Sequence, residues 1–184
     1  MSFVSGDAAV GEILFTPEQI QARIAELGQR LTEQYAGRNP LLVCVLKGAC
    51  MFVTDLDRHV DLPMELDFIA VSSYGSSTRR SGVVRLVKDL DSDIAGRDVV
   101  LVEDIVDSGL TLRYLRRNLE ARSPSSLEVC ALVARKSADR DGLNESLIGF
   151  VIPDEDWLIG YGLDVDQRYR NLPYLAKYVE PARP

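Results

Sequence analysis

The chain has 184 residues, 46% of them hydrophobic and 27% charged, which suits one globular domain with a sizeable core. Its formal net charge is −7. A surface of that sign repels nucleic-acid backbones, no Lys/Arg run is dense enough to override it, and an anionic substrate needs a local cation or a metal ion.

Residues 1–15 are short and mixed. Thr16-Pro17-Glu18-Gln19 is a helix start, with Thr at the N-cap, Pro at N1 and Gln at N3. Ile20, Ile24, Leu27 and Leu31 recur at helical spacing to about Tyr35, and Gly37 and Pro40 end the run. Leu41 to Leu46 is continuously apolar and predicts a central strand. Lys47-Gly48-Ala49 follows, then a helix through Met51, Phe52 and Leu56. A lysine and a glycine at the carboxyl end of a strand suit an anion, and they suit an ordinary strand-to-helix turn equally.

Met64 to Val71 alternates like a strand with one wetter face. From Ser72 to Gly82 the chain is polar, rich in Ser and Gly, and carries Tyr74, Arg79 and Arg80. Eleven residues is long for a connection inside a compact domain, so this segment reads either as a lid or as a solvated hairpin connection. Val83 to Val87 predicts another strand, and residues 88–93 an acidic turn. Val99 to Val102 predicts a buried parallel strand, with Glu103 and Asp104 at its end and a helix from Leu112 to Ala121 after the loop Asp107-Ser108-Gly109-Leu110-Thr111. Leu127 to Ala134 predicts a strand ending at Arg135-Lys136, residues 137–147 a loop, and Leu147 to Pro153 a last strand. No repeat or linker divides the chain. Strands alternating with helices predict a mainly parallel sheet covered on both faces.

Cys44, Cys50 and Cys130 sit in apolar surroundings and read as buried thiols of a reducing compartment. The only histidine, His59, lies in a polar segment, which argues against a Cys-His catalytic pair. No apolar run approaches the ~20 residues of a membrane span. The N-terminus lacks a basic stretch followed by an apolar one, so a cytoplasmic location with no membrane partner is expected.

In open α/β sheets, ligands bind at the carboxyl ends of the strands, which places the stretch 103–111 on the ligand side. With the chain turning after Val102, Glu103 and Asp104 both reach a ligand. Two carboxylates there can accept from a pair of sugar hydroxyls, or hold Mg²⁺, which takes few carboxylates and keeps several waters. The next five residues form an anion nest at a helix start: successive amides, a glycine for close approach and the hydroxyls of Ser108 and Thr111. A carboxylate inside a phosphate cradle is out of place, so Asp107 is a candidate acid/base. Its other reading is a helix cap.

The combination of strand, Glu-Asp and Asp-Ser-Gly-x-Thr resembles the phosphoribosyl pyrophosphate signature of the type I phosphoribosyltransferases. The resemblance spans about residues 10–178 and implies a twisted, mainly parallel sheet flanked by helices, with a core of about 36–147 and a small hood built from about 1–15 and 148–184. It implies Glu103 and Asp104 near the ribose hydroxyls and Mg²⁺, and residues Asp107, Ser108, Gly109, Leu110 and Thr111 around the 5′-phosphate. Leu46-Lys47-Gly48 looks like the pyrophosphate loop of the hypoxanthine-guanine group, with a cis peptide expected between Leu46 and Lys47. Ser73-Tyr74 and the two arginines after it look like that group's lid, which turns the reading of the 72–82 segment toward a lid. Residues 157–164 and 168–174 are similar to its hood. By that similarity Trp157 stacks on a purine, the Leu158 backbone reads the ring edge, Asp164 binds Mg²⁺ and Arg170 meets pyrophosphate. The other reading of Trp157 is a core aromatic. Three departures stand out: Arg135, with Lys136 beside it, occupies the place of a lysine that donates to the purine 6-oxo group, the turn before Trp157 is one residue longer, and Leu110 occupies a variable position where only its backbone N–H is implied.

The implied reaction is purine salvage. The phosphoribosyl group passes from phosphoribosyl pyrophosphate to hypoxanthine or guanine, giving IMP or GMP and pyrophosphate, with Mg²⁺ as cofactor and Asp107 as general base, in a homodimer or homotetramer. The alternatives are a phosphoribosyltransferase preferring xanthine or a pyrimidine, and a non-enzymatic RNA-binding regulator on the same fold, against which the net charge argues.

Overall fold

In the computed structural model, residues 7–73, 84–138, 143–144 and 147–180 are described. A six-stranded sheet in the order β4-β3-β2-β5-β6-β7 forms the core. Its strands are β2 (Leu41–Leu46), β3 (Glu65–Ser73), β4 (Val84–Lys88), β5 (Asp98–Val106), β6 (Ser126–Arg135) and β7 (Ile148–Ile152). All neighbours pair in parallel except β3 and β4, which form an antiparallel edge.

Helix α1 (Pro17–Gln34) starts where its sequence says it should. Thr16 accepts from the Gln19 amide and Gln19 accepts from the Thr16 amide, closing a capping box with Pro17 just inside. Its stripe of Ile20, Ile24, Leu27 and Leu31 packs with α2 (Cys50–Leu56) against one sheet face, through Leu42, Cys44, Val100 and Val102. Helix α3 (Leu110–Glu120) covers the other face, placing Leu112, Leu115 and Leu119 against Leu41, Val43, Leu101 and Val129. The central strands β2 and β5 are apolar on both faces because both faces are covered.

A second, three-stranded sheet in the order β1-β9-β8 pairs the two ends of the chain: β1 (Val10–Phe15), β8 (Leu158–Ile159) and β9 (Leu175–Tyr178). We refer to this small sheet as the hood. Strand β7 hydrogen-bonds in parallel to β6, so the six-stranded sheet runs to Ile152. Arg23 on α1 secures that edge by donating to the carbonyls of Ile148 and Gly149. Neither β1 nor β9 is predicted by local pattern. Among the described residues no helix is long and apolar enough to cross a membrane.

Candidate active site

Strand β5 does not end at Val102. Its pairing with β6 continues to Val106 opposite Ala134, so Glu103 and Asp104 lie inside the strand and the chain turns only at Asp107. Successive strand residues point to opposite faces, and the two carboxylates do not share one environment. Glu103 is buried, 5% exposed. Asp104 is half-buried and packs on the loop after β2, where a Cβ at Gly48 would fall 1.5 Å from its Oδ2. Only glycine lets that backbone and that carboxylate meet.

The same loop receives the hood. A Cβ at Gly162 would lie 2.0 Å from the Gly48 carbonyl, so two glycines allow the segments to touch. Arg170 donates to the Gly162 carbonyl at 2.6 Å and pairs with Asp164 at 2.6 Å. Lys47 donates to Gln167 Oε1 at 3.3 Å. The peptide between Leu46 and Lys47 is cis, as the resemblance implied. Lys47, Gly48, Asp104, Asp164 and Arg170 are thus gathered from three distant stretches at the carboxyl ends of β2 and β5. Gln167 was not foreseen. It bonds Lys47 and Arg170, and its amide donates to Asp164 at 2.8 Å. Nothing in its local sequence marks it, apart from lying between two residues of the hood motif. Tyr161, whose hydroxyl donates to Asp55, also seats the hood on the core and was equally invisible.

Electrostatics single out the carboxylate pair. Burial pushes the Glu103 carboxyl well above the usual range, and the Asp104 charge adds to that. Burial raises Asp104 to about 6, and the Asp164 carboxylate adds to it, while the amides of Ile105 and Asp104 and the Arg170 guanidinium oppose it. A cation at this mouth relieves such a strain. Among the described residues no three His, Cys, Asp or Glu side chains form a cluster able to hold a metal ion, so Glu103, Asp104 and Asp164 are not a closed protein cage. That donor set fits an ion such as Mg²⁺, which binds through one or two carboxylates, several waters and substrate phosphates.

After β5 the loop 107–109 opens α3. Gly109 is its N-cap at φ 79°, a left-handed conformation suited to glycine, and no side chain caps the helix. Gly109, and not Asp107, holds the N-cap position of α3. Ser108 and Leu110 are exposed and Thr111 half-buried, and the first amides of α3 have no intrahelical acceptors. Asp107 turns elsewhere and pairs with Arg135 at the end of β6. Arg135 also donates to the carbonyls of Asp154 at 2.9 Å and Asp156 at 2.7 Å. Lys136 is exposed.

Trp157 follows that turn and is 56% exposed, which rules out the core-aromatic reading. Leu158 is buried in β8 and pairs with Lys177 of β9. The lid expectation at Tyr74, Arg79 and Arg80 lies outside the described residues. Ser73 is the last described residue of β3, paired with Val84.

Comparison with known proteins agrees with this geometry. A family model described as the phosphoribosyl transferase domain matches residues 11–166. The chain is 54% identical over 173 residues to the hypoxanthine-guanine phosphoribosyltransferase of Mycobacterium tuberculosis, covering 91% of this chain and 85% of that one. It is 44% identical over 167 residues to the Bacillus subtilis protein of the same name, covering 91% and 92%. A solved hypoxanthine phosphoribosyltransferase from Staphylococcus aureus superposes with a TM-score of 0.86 at 37% identity, covering 93% of this chain and 92% of that one. An α/β core with a mostly parallel sheet, a small hood over its strand ends and these matches lead to one conclusion: the chain belongs to the hypoxanthine-guanine phosphoribosyltransferase family of enzymes.

Proposed function

We propose that this enzyme performs purine salvage, transferring the 5-phosphoribosyl group of phosphoribosyl pyrophosphate to hypoxanthine or guanine. The observation that carries the reading is the convergence at one sheet end of Lys47, Asp104, Asp164 and Arg170 on one side and Asp107, Arg135 and Trp157 on the other. The first group suits a pyrophosphate and the second a planar base.

Between them, the open amides of residues 108–111 take the 5′-phosphate, with the Ser108 and Thr111 hydroxyls as further donors. Asp104, with Glu103 beside it in the strand, takes the ribose hydroxyls. Lys47, the Gly48 backbone and Arg170 hold the pyrophosphate, the guanidinium fork matching its oxygens. Trp157 supplies a stacking face worth about 1–3 kcal/mol for a base. The Leu158 backbone meets the ring edge, and Arg135 and Lys136 stand at the end of β6 where a 6-oxo group is read. Asp107 accepts the N7 proton of the purine as N9 bonds to the anomeric carbon and the anomeric C–O bond to pyrophosphate breaks. Asp104 and Asp164 would hold Mg²⁺, which would supply positive charge against the leaving pyrophosphate. The protein's task at the oxocarbenium-like centre is electrostatic. We further propose that it acts in the cytoplasm as a homodimer or homotetramer.

The test is a panel. Protein, Mg²⁺ and phosphoribosyl pyrophosphate are mixed with hypoxanthine, guanine, xanthine, adenine or uracil, and pyrophosphate release is followed. Release with hypoxanthine or guanine is expected. Release with xanthine or uracil only would overturn the assignment of substrate, and release with none would overturn the reading.

A further inference from the structure

Arg135 is placed between two parts of the site that the chain keeps far apart. Its Nε donates to Asp107 Oδ1, at the end of the neighbouring strand. Its Nη1 faces three backbone carbonyls of the turn ahead of Trp157: Pro153 at 3.3 Å, Asp154 at 2.9 Å and Asp156 at 2.7 Å. Three carbonyls converging on one point concentrate partial negative charge, and a guanidinium answers it with donors fixed in direction. The side chain is largely shielded, at 14% exposure, whereas Asp107 is 39% exposed.

The turn is anchored from its other sides too. Asp154 accepts from the amide and hydroxyl of Ser137, just beyond Arg135, at 2.9 and 2.7 Å. Asp156 pairs with Lys177 of β9 at 3.0 Å. The Trp157 carbonyl accepts from the Tyr178 amide at 2.6 Å. The hood sheet therefore grips Asp156 and Trp157 from one side, and β6 grips the same turn from the other. The indole stays exposed while the backbone beneath it is tied down. Of these ties, the one made by Arg135 also reaches Asp107.

We propose that Arg135 is a positioning residue that couples the proton-accepting carboxylate of Asp107 to the turn presenting Trp157, so that the base platform and the proton acceptor are set together. An ammonium at this place has no planar fork and cannot span both partners in the same geometry. The proposal rests on the roles of Asp107 and Trp157 given above, but its first readout does not depend on turnover.

That readout is Trp157 itself, the only tryptophan of the chain. Emission maximum and acrylamide quenching are measured for the unsubstituted protein, Asp107→Asn, Arg135→Lys and the double variant, with kcat and KM for hypoxanthine alongside. Arg135→Lys is expected to raise the quenching constant by about twofold and the KM for base by about tenfold, since a displaced platform loses orientation. Asp107→Asn is expected to shift emission or quenching in the Arg135 protein and to shift neither in the Arg135→Lys background. Unchanged Trp157 signals in both single variants overturn the proposal, and so do additive effects in the double variant. A coupled fluorescence response in a protein that releases no pyrophosphate would leave the coupling standing and remove the purine reading.

Discussion

Asp67 and Asp104 lie on the two strands that flank β2, and the chain treats them in opposite ways. Asp67 is 4% exposed, but it accepts from the amides of Phe68, Asp91 and Ser92 at 2.7 to 3.0 Å, with Lys88 at 3.9 Å. Burial works against its charge, yet those amides together outweigh it and hold the carboxyl below its ordinary value. Asp104 has the Ile105 amide and the Arg170 guanidinium on its side, and burial together with the Asp164 carboxylate still drives it up to about 6. One carboxylate is satisfied by the fold and pins a turn. The other is left short of partners at the mouth of the site, where a ligand can supply them. Unmet charge thus separates the candidate site from a structural carboxylate more sharply than burial does.

The largest expected effect lies next to that unmet pair. Asp107→Ala is expected to lower kcat by about 100-fold or more, the usual worth of a general base, with binding of phosphoribosyl pyrophosphate retained in titration. Near-normal turnover would remove the proton role.

The contrast itself is tested by paired substitutions. Asp67→Ala leaves buried amides without acceptors and is expected to cost about 1–3 kcal/mol of unfolding free energy in denaturant, with kcat/KM per folded molecule unchanged. Asp104→Asn is expected to do the reverse, weakening phosphoribosyl pyrophosphate binding while the denaturation midpoint stays level or rises. If both variants lose stability alike, the distinction fails.

The pH dependence follows with opposite signs. The folded state raises Asp104 from 3.8 to about 6, so its contribution to stability is complete below the lower value and is lost as pH rises through the upper one. Asp67 is depressed below 3.8, so its contribution is present above that value and is lost as pH falls through the folded one. Unfolding of the ligand-free protein followed across this range is therefore expected to show Asp104→Asn gaining on the unsubstituted chain as pH rises from about 4 to 7. Asp67→Asn should fall closer to the unsubstituted chain toward the acid end.

The smallest effect sharpens the account of Asp67. Lys88→Met is expected to cost about 1 kcal/mol or less, because a half-exposed ion pair contributes little. A loss as large as that of Asp67→Ala would show that the lysine, and not the amides, holds the carboxylate.

Much of this molecule is written locally. Thr16, Pro17 and Gln19 specify the start of α1, and the apolar runs at 41–46 and 99–102 specify the central strands, because capping and burial on both faces act between near neighbours. The signature from Glu103 to Thr111, read with Lys47 and the hood motif, is enough to indicate the family. The local pattern misleads where pairing extends a strand past it, as in β5 through Glu103 and Asp104.

Contacts between distant stretches depended on the tertiary structure. Sequence could not join β1 to β9, since a strand at each chain end acquires its partner only by long-range pairing. It could not show that Gly48 and Gly162 touch, that Gln167 links Lys47 to Arg170, or that Asp107 meets Arg135. Residue types and spacing determined which chemistry the chain carries, through propensities and motifs that operate over a few residues. Which carboxylate is satisfied, which is left wanting, and which side chain spans two elements were decided by packing, because hydrogen bonds and desolvation depend on neighbours that only the folded chain brings together.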